Sequence, residues 1–287
     1  MPRYLIINAD DFGVCPATNE AIERVFNEGI ISSATIMTPC PSFTDAVERA
    51  KANPKMQVGL HITTTAEYTR KWGPIAPNVP SIADENGFMY PTVAEFAKNA
   101  RTEEVAIEIE AQYQLLLQNG VTPTHADSHM GSLYGLSGPS FMKEALEFCA
   151  KHKLPFRFPE EIESVKRNMK LEEVPAQLAE AHSQVIAYAK ALGVNLIDHL
   201  ITSTIPFSEI TSYEKLRTIY FDIISSLPEG ICEIYMHPAL ADSVFAQGNH
   251  KWQTRVWEYQ LLMDASFKKH LESEGVSLVS YKTASFN

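Results

Sequence analysis

Short apolar runs, rich in Ile, Val and Leu and bounded by Gly, Pro, Asn or Asp, alternate along the chain with longer amphipathic stretches. The short runs have the length and β-branched content of buried strands. They predict strands at Tyr4–Asn8, Ala34–Met37, Gln57–His61, Thr122–Ala126, Pro155–Phe158, Leu196–Leu200, Cys232–Met236 and Val276–Tyr281. The stretches between them are helical. Ala21, Ile22, Val25 and Phe26 recur at helical spacing, and Gly29 follows as a stop. Glu103 to Gln118 repeats the pattern, with Thr102 as N-cap and Gly120 beyond the end. Phe141, Ala145 and Phe148 mark another helix, and Glu172 to Ala191 a long polar-faced one. Thr211 and Glu214 form a capping box before Leu216, Ile219 and Tyr220, and Arg255 to Leu271 closes the series.

Regular alternation of strand and helix predicts a parallel sheet covered by helices. The sequence has no internal repeat, no low-complexity tract and no linker, so residues 1–287 are expected to form one domain. Eight strands in one uninterrupted series predict an α/β fold, a single (β/α) barrel that is closed or incompletely closed; an open doubly wound sheet is the alternative. No GxGxxG or Walker loop follows any strand, which removes the usual nucleotide-binding form of that alternative. Two stretches interrupt the alternation. Residues 68–91 carry Tyr68, Trp72, Phe88 and Tyr90 among Pro and Gly, and residues 239–254 carry Gly248, Asn249 and Trp252. Both follow strands, and such loops gather at the carboxyl-end face of a barrel. Their aromatic rings, Trp72 and Trp252 included, suit stacking on sugar rings; the plainer role is to pin their own loops.

Composition narrows the partners. A net charge of −11 disfavours nucleic acid and anionic membrane surfaces. Cys15, Cys40, Cys149 and Cys232 form no CxxC pair and read as reduced thiols of a cytoplasmic protein. The N-terminus has no signal-like apolar region, and no apolar stretch approaches membrane-spanning length.

Candidate chemistry collects at the strand ends. The first strand delivers Asn8, then the adjacent carboxylates Asp10 and Asp11, then Gly13 for the turn. Neighbouring carboxylates repel, so a cation, such as a divalent metal, is expected beside them; helix-capping aspartates are the alternative. His61 ends the third strand and His237 follows the seventh. In the fourth segment, His125, Asp127 and His129 alternate, so an extended backbone projects them to one face. A barrel brings all these ends to one rim. His152, His182, His250 and His270 fall on helices or a loop and are read as structural; His199 ends the sixth strand without an assigned role. Two histidines and one carboxylate with open positions suit a hydrolytic metal site or a non-haem iron site. A second carboxylate serves a hydrolase as general base, and a further histidine can protonate a leaving group.

Together, Leu5-Ile6-Ile7-Asn8-Ala9-Asp10-Asp11-Phe12-Gly13, Gly59-Leu60-His61, Pro123-Thr124-His125-Ala126-Asp127-Ser128-His129 and Met236-His237-Pro238 resemble the motifs of the YdjC-type carbohydrate deacetylases, which include the chitooligosaccharide (diacetylchitobiose) deacetylases. The resemblance runs in motif order from residue 3 to about residue 280. It implies a barrel related to the polysaccharide deacetylases, a divalent metal recorded as magnesium, a small oligosaccharide substrate and a homodimer. By the same resemblance Asp11, His61 and His125 are metal ligands, Asp10 the base and His237 the acid, and Arg255 is the arginine beside the catalytic carboxylate. Asn8, Asp127, His129, Trp72 and Trp252 are then supporting or substrate-binding residues. Gly131 stands where many members carry another histidine.

The expected activity is metal-dependent hydrolysis of an N-acetyl group on a small amino-sugar oligosaccharide. Ligand types alone also admit zinc, manganese, cobalt or iron. Two other readings use the same residues: a non-haem iron oxygenase built on the His/His/Asp triad, and a sugar-binding regulatory barrel without catalysis.

Overall fold

The computed structural model describes residues 2–67, 70–242 and 251–286. Its strands are β1 (Arg3–Phe12), β2 (Ser33–Ile36), β3 (Val58–Ile62), β4 (Ala126–Ser128), β5 (Phe156–Pro159), β6 (Leu196–Ile197), β7 (His199–Leu200), β8 (Gly230–Met236) and β9 (Val276–Leu278). The helices are α1 (Pro16–Glu28), α2 (Phe43–Ala52), α3 (Val93–Asn99), α4 (Thr102–Gln118), α5 (Met142–His152), α6 (Ile162–Asn168), α7 (Ala176–Leu192), α8 (Tyr213–Ser225), α9 (Trp252–Met263) and α10 (Ala265–Ser273).

All pairings between these strands are parallel, in the order β6-β5-β4-β3-β2-β1-β8-β7, with β9 also against β1. Closure comes from one split strand. Leu196 and Ile197 pair with β5; beyond Asp198, His199 and Leu200 pair with β8. The result is a nearly closed (β/α) barrel, with helices packed outside it.

Strand alternation then divides the side chains into two populations. Leu5 and Ile7 of β1, Cys232, Ile234 and Met236 of β8, and the buried faces of α8, α9 and α10 form one apolar cluster. Ala34, Ile36, Leu60, Ile62, Ala126, Phe156 and Phe158 meet α2, α4 and α5 in another. The intervening residues point into the barrel. Ile6, Ile231 and Tyr281 share a small apolar cluster there, and beyond it the interior is polar: Asn8, Asp10, Thr35, His61, His125, Asp127, Arg157 and Glu233 are all buried.

Several boundaries differ from expectation. The fourth strand, expected at Thr122–Ala126, instead begins at Ala126 and runs to Ser128, because Asp127 pairs with His61 and Ser128 with Ile62. The expected helix Arg255–Leu271 is broken at Asp264, whose side chain accepts from the Ser266 N–H at 2.7 Å and starts a second helix. The cap of α8 is Ser212, not Thr211; its side chain accepts from the Lys215 N–H. Arg101 occupies the N-cap of α4 and Thr102 is already helical. Tyr68, Gly248, Asn249 and His250 lie outside the described residues.

Candidate metal centre

Adjacent residues of a regular strand face opposite sides of the sheet, so Asp10 and Asp11 should diverge. A bulge prevents this. Ala9 pairs with Ala34 and Phe12 with Ile36, so β1 carries one more residue than β2 across this step. Asp11 takes a left-handed backbone (φ 64), a conformation that Asp tolerates better than most residues. Both carboxylates line the same cavity in consequence.

Asp11, His61 and His129 are buried and each directs one donor atom to a common point. Asp11 Oδ1 lies 3.5 Å from His61 Nε2 and 3.4 Å from His129 Nδ1, and the two imidazole nitrogens are 3.2 Å apart. Among the described residues, Asp11 Oδ1 accepts no conventional hydrogen bond. Its partner oxygen, Oδ2, accepts from Arg255 Nη2 at 2.6 Å. The far nitrogen of His61, Nδ1, donates to Asp127 Oδ1 at 2.6 Å, so that in the neutral ring Nε2 carries the lone pair and faces Asp11. Such a carboxylate behind a histidine is the usual support of a metal ligand. A buried carboxylate oxygen without a donor, beside two imidazole lone pairs at this spacing, fits a divalent cation. The donor chemistry, two nitrogens and one oxygen, suits a first-row transition ion better than magnesium, which prefers oxygen throughout.

His125 stands outside this group, contrary to the expectation that it completes the triad. Because β4 extends to Ser128, His125 is two residues below Asp127 and four below His129, deeper in the barrel by roughly 3.3 Å per residue. Its ring stacks on Tyr281 with centroids 3.9 Å apart. Gly59 makes the room, since a Cβ there would approach the ring to 2.5 Å. Burial drives the His125 pKa down to about 3. Burial also opposes charge on His61, yet the carboxylates of Asp127 and Asp11 beside it raise its pKa to about 10 when no cation is bound. Asp11 is likewise pulled well below the ordinary carboxylate range: burial works against ionisation, and Arg255, His129 and His61 outweigh it.

Asp10 occupies a different setting. Arg157 donates to both its oxygens, from Nη2 to Oδ1 at 2.7 Å and from Nη1 to Oδ2 at 2.8 Å. Asn8 Nδ2 donates to Oδ1 at 2.8 Å and to Thr35 Oγ1 at 3.0 Å. Oδ2 therefore keeps a lone pair for a further donor. The same guanidinium contacts Asp127 Oδ2 at 2.9 Å, and its Nε contacts Glu233 Oε1 at 2.7 Å. Burial pushes Glu233 up to about 7, and the Tyr281 hydroxyl donates to its other oxygen. Arg157 is the residue that sequence reasoning missed. Arg255 was expected beside the catalytic carboxylate; it pairs with Asp11, and Arg157 pairs with Asp10. The available signal was an arginine between Phe156 and Phe158 in an apolar strand, because a buried guanidinium requires anionic partners. Thr35 was also missed; its hydroxyl donates to Asp127 Oδ2 at 3.0 Å.

His237 lines the cavity from the end of β8, and its backbone N–H donates to Glu258 Oε2 at 2.7 Å. Burial pushes its imidazole down to about 4, despite the neighbouring Asp11. Trp72 and Trp252 do not face substrate space. They are 4% and 3% exposed in a cluster with Cys15, Met37 and Cys40. Trp72 Nε1 donates to the Thr65 carbonyl at 3.1 Å, so this ring pins its loop behind His129. His152 bonds Glu110, His182 the Pro159 carbonyl and His270 the Phe221 carbonyl, all structural contacts. The cavity holding Asp10, Asp11, His61, His129 and His237 measures about 1340 Å³.

A family model described as YdjC-like protein matches residues 4–273. Similar relatives include a carbohydrate deacetylase of Geobacillus stearothermophilus, 29% identical over 283 residues and covering 98% of both chains. A carbohydrate deacetylase of Enterococcus faecalis is 28% identical over 284 residues, again covering 98% of both chains. Among solved structures, an Enterococcus faecalis V583 protein described as a candidate cellobiose-phosphate cleavage protein superposes with a TM-score of 0.77 at 26% identity, covering 98% of each chain.

Proposed function

The chain belongs to the YdjC-like family, and we propose that it is a metal-dependent carbohydrate deacetylase that removes an N-acetyl group from a small amino-sugar oligosaccharide. The observation that carries this reading is the buried Asp11/His61/His129 group at the floor of the cavity, with Asp11 Oδ1 lacking any donor. The named activity of the relatives supports it.

In this reading Asp11, His61 and His129 hold the cation, and Asp127 fixes the His61 tautomer. A bound divalent ion supplies Lewis acidity toward an amide carbonyl and a lowered pKa for water. Zinc, cobalt, manganese and iron suit the donor set; magnesium, implied by the family resemblance, is the poorer match. The other steps belong to the chain. Asp10 accepts the proton of the attacking water on Oδ2, while Arg157 and Asn8 hold its carboxylate in place. Arg255 Nη1, buried and without a hydrogen bond of its own, is a spare donor on the cavity wall for a developing negative charge. Burial holds the His237 imidazole down, so in this reading it passes the proton that Asp10 takes from the water on to the departing amine and does not store one beforehand. A bell-shaped pH profile with its alkaline limb set by His237, the simple outcome for a standing acid, is therefore not expected.

The test is acetate release from N-acetylated di- and trisaccharides before and after chelation. Release that stops with chelator and returns on adding a single equivalent of zinc or cobalt supports the reading. No release from any amide with metal restored would sink it.

A further inference from the structure

The cavity extends well beyond the metal centre. Its volume of about 1340 Å³ exceeds the roughly 300–1,000 Å³ of ordinary small-molecule sites. One end holds Asp11, His61 and His129; the other runs between α5, α6 and α7 and is lined by Leu146, Phe158, Val165, Leu178 and Val185. Gly131 and Tyr134 border the cavity between these ends. Gly131 has φ 62, and a Cβ there would press on the Tyr134 ring at 3.1 Å.

The walls of the far arm are mainly aliphatic and thioether surfaces, with Lys143, Asn168 and Gln184 among them, and most of this surface offers no partner to the hydroxyls of a bare glycan. Nor is the arm sealed. Leu136, Met130, Met169 and Phe207 are 57%, 52%, 42% and 41% exposed, and all four line this cavity. Of the large exposed apolar side chains among the described residues, only Ile107 and Leu278 lie elsewhere. Apolar surface concentrated in one place marks a binding site.

We propose that this arm binds a hydrocarbon chain carried by the amino-sugar substrate, which makes the substrate class an alkylated or acylated amino sugar. The inference rests on the deacetylase reading for the identity of the sugar, and on the continuity of the arm with the metal centre for the chain. The chain has two sources, an N-acyl group longer than acetyl or a glycosidic alkyl group, and both present the same surface to Leu178 and Val185.

Calorimetric titration of the metal-loaded Asp10→Asn protein, which is expected to keep the metal and to turn over about 10²–10⁴ times more slowly, the usual cost of removing a general base, reads the arm by binding. One series is alkyl glucosaminides from methyl to octyl; the other is N-acyl glucosamines from acetyl to octanoyl. Affinity should rise by up to about fourfold per methylene in the series that matches the source. Leu178→Glu and Met169→Lys should abolish that rise and leave the shortest ligand unaffected. Affinity independent of chain length in both series, or a rise that survives both variants, overturns the proposal. So does a flat dependence accompanied by dissociation of a dimer on Leu178→Glu in sedimentation, because the arm is then an interface between two copies. Lack of amide hydrolysis with metal restored counts against the deacetylase reading alone, and the binding series still decides the arm.

Discussion

His125 and His129 flank the same short strand, β4, one just before it and one just after it, and are both buried, yet they have different surroundings. His129 opens the turn that follows the strand and meets Asp11 and His61 across the barrel mouth. His125, two residues below Asp127, lies flat against Tyr281, and burial holds it neutral. Arg157 pairs with both Asp10 and Asp127. Depth along the strand, not residue type, decides which histidine can ligate. The upper tier keeps lone pairs and an unbonded carboxylate oxygen facing cavity space. The lower tier is filled by an aromatic ring and closed to a substrate.

The largest expected effect separates the tiers directly. His61→Ala and His129→Ala should each lose bound metal and all turnover, whereas His125→Phe should retain both metal and most activity. Elemental analysis after loading with one equivalent of zinc decides it. Metal lost from His125→Phe but kept by His129→Ala would reverse the assignment.

Within the upper tier, Asp10 and Asp11 should separate next. Asp10→Asn should keep the metal and lower turnover by about 10²–10⁴, the usual cost of removing a general base. Asp11→Asn should weaken metal affinity first. Interchanged phenotypes would assign the two carboxylates the other way round.

The smallest effect is a difference in the pH dependence of stability in metal-free protein. His61 has a folded pKa of about 10, above its unfolded value near 6.5. The stability it contributes is fully present below about 6.5 and is lost as pH rises through about 10. His125 has a folded pKa of about 3, so the unfolded chain takes up a proton that the native ring refuses, and stability falls as pH drops from about 6.5 toward 3. Denaturant midpoints measured against pH should show His61→Ala flattening the alkaline slope and His125→Phe the acidic one. Identical slopes in parent and both variants would contradict the two-tier description.

The sequence alone determined the alternation of strands with the longer helices, because apolar runs are local signals; the short helices α2, α3 and α6 and the caps of α4 and α8 were not read from it. It also placed Asp10, Asp11, His61 and His237 at strand ends, since each follows an apolar run directly. Three things needed the tertiary structure. The bulge at Asp11 depends on the register between β1 and β2, which no local pattern encodes. The exclusion of His125 depends on how far β4 pairs with β3, since Asp127 and Ser128 have weak intrinsic strand preference and are held there by their partners. Arg157 becomes intelligible only when strands far apart in sequence bring Asp10, Asp127 and Glu233 within reach of one guanidinium. Electrostatic partnership acts through space over a few ångströms, whereas hydrophobic periodicity is written along the chain; the first had to await the fold, and the second was readable from the start.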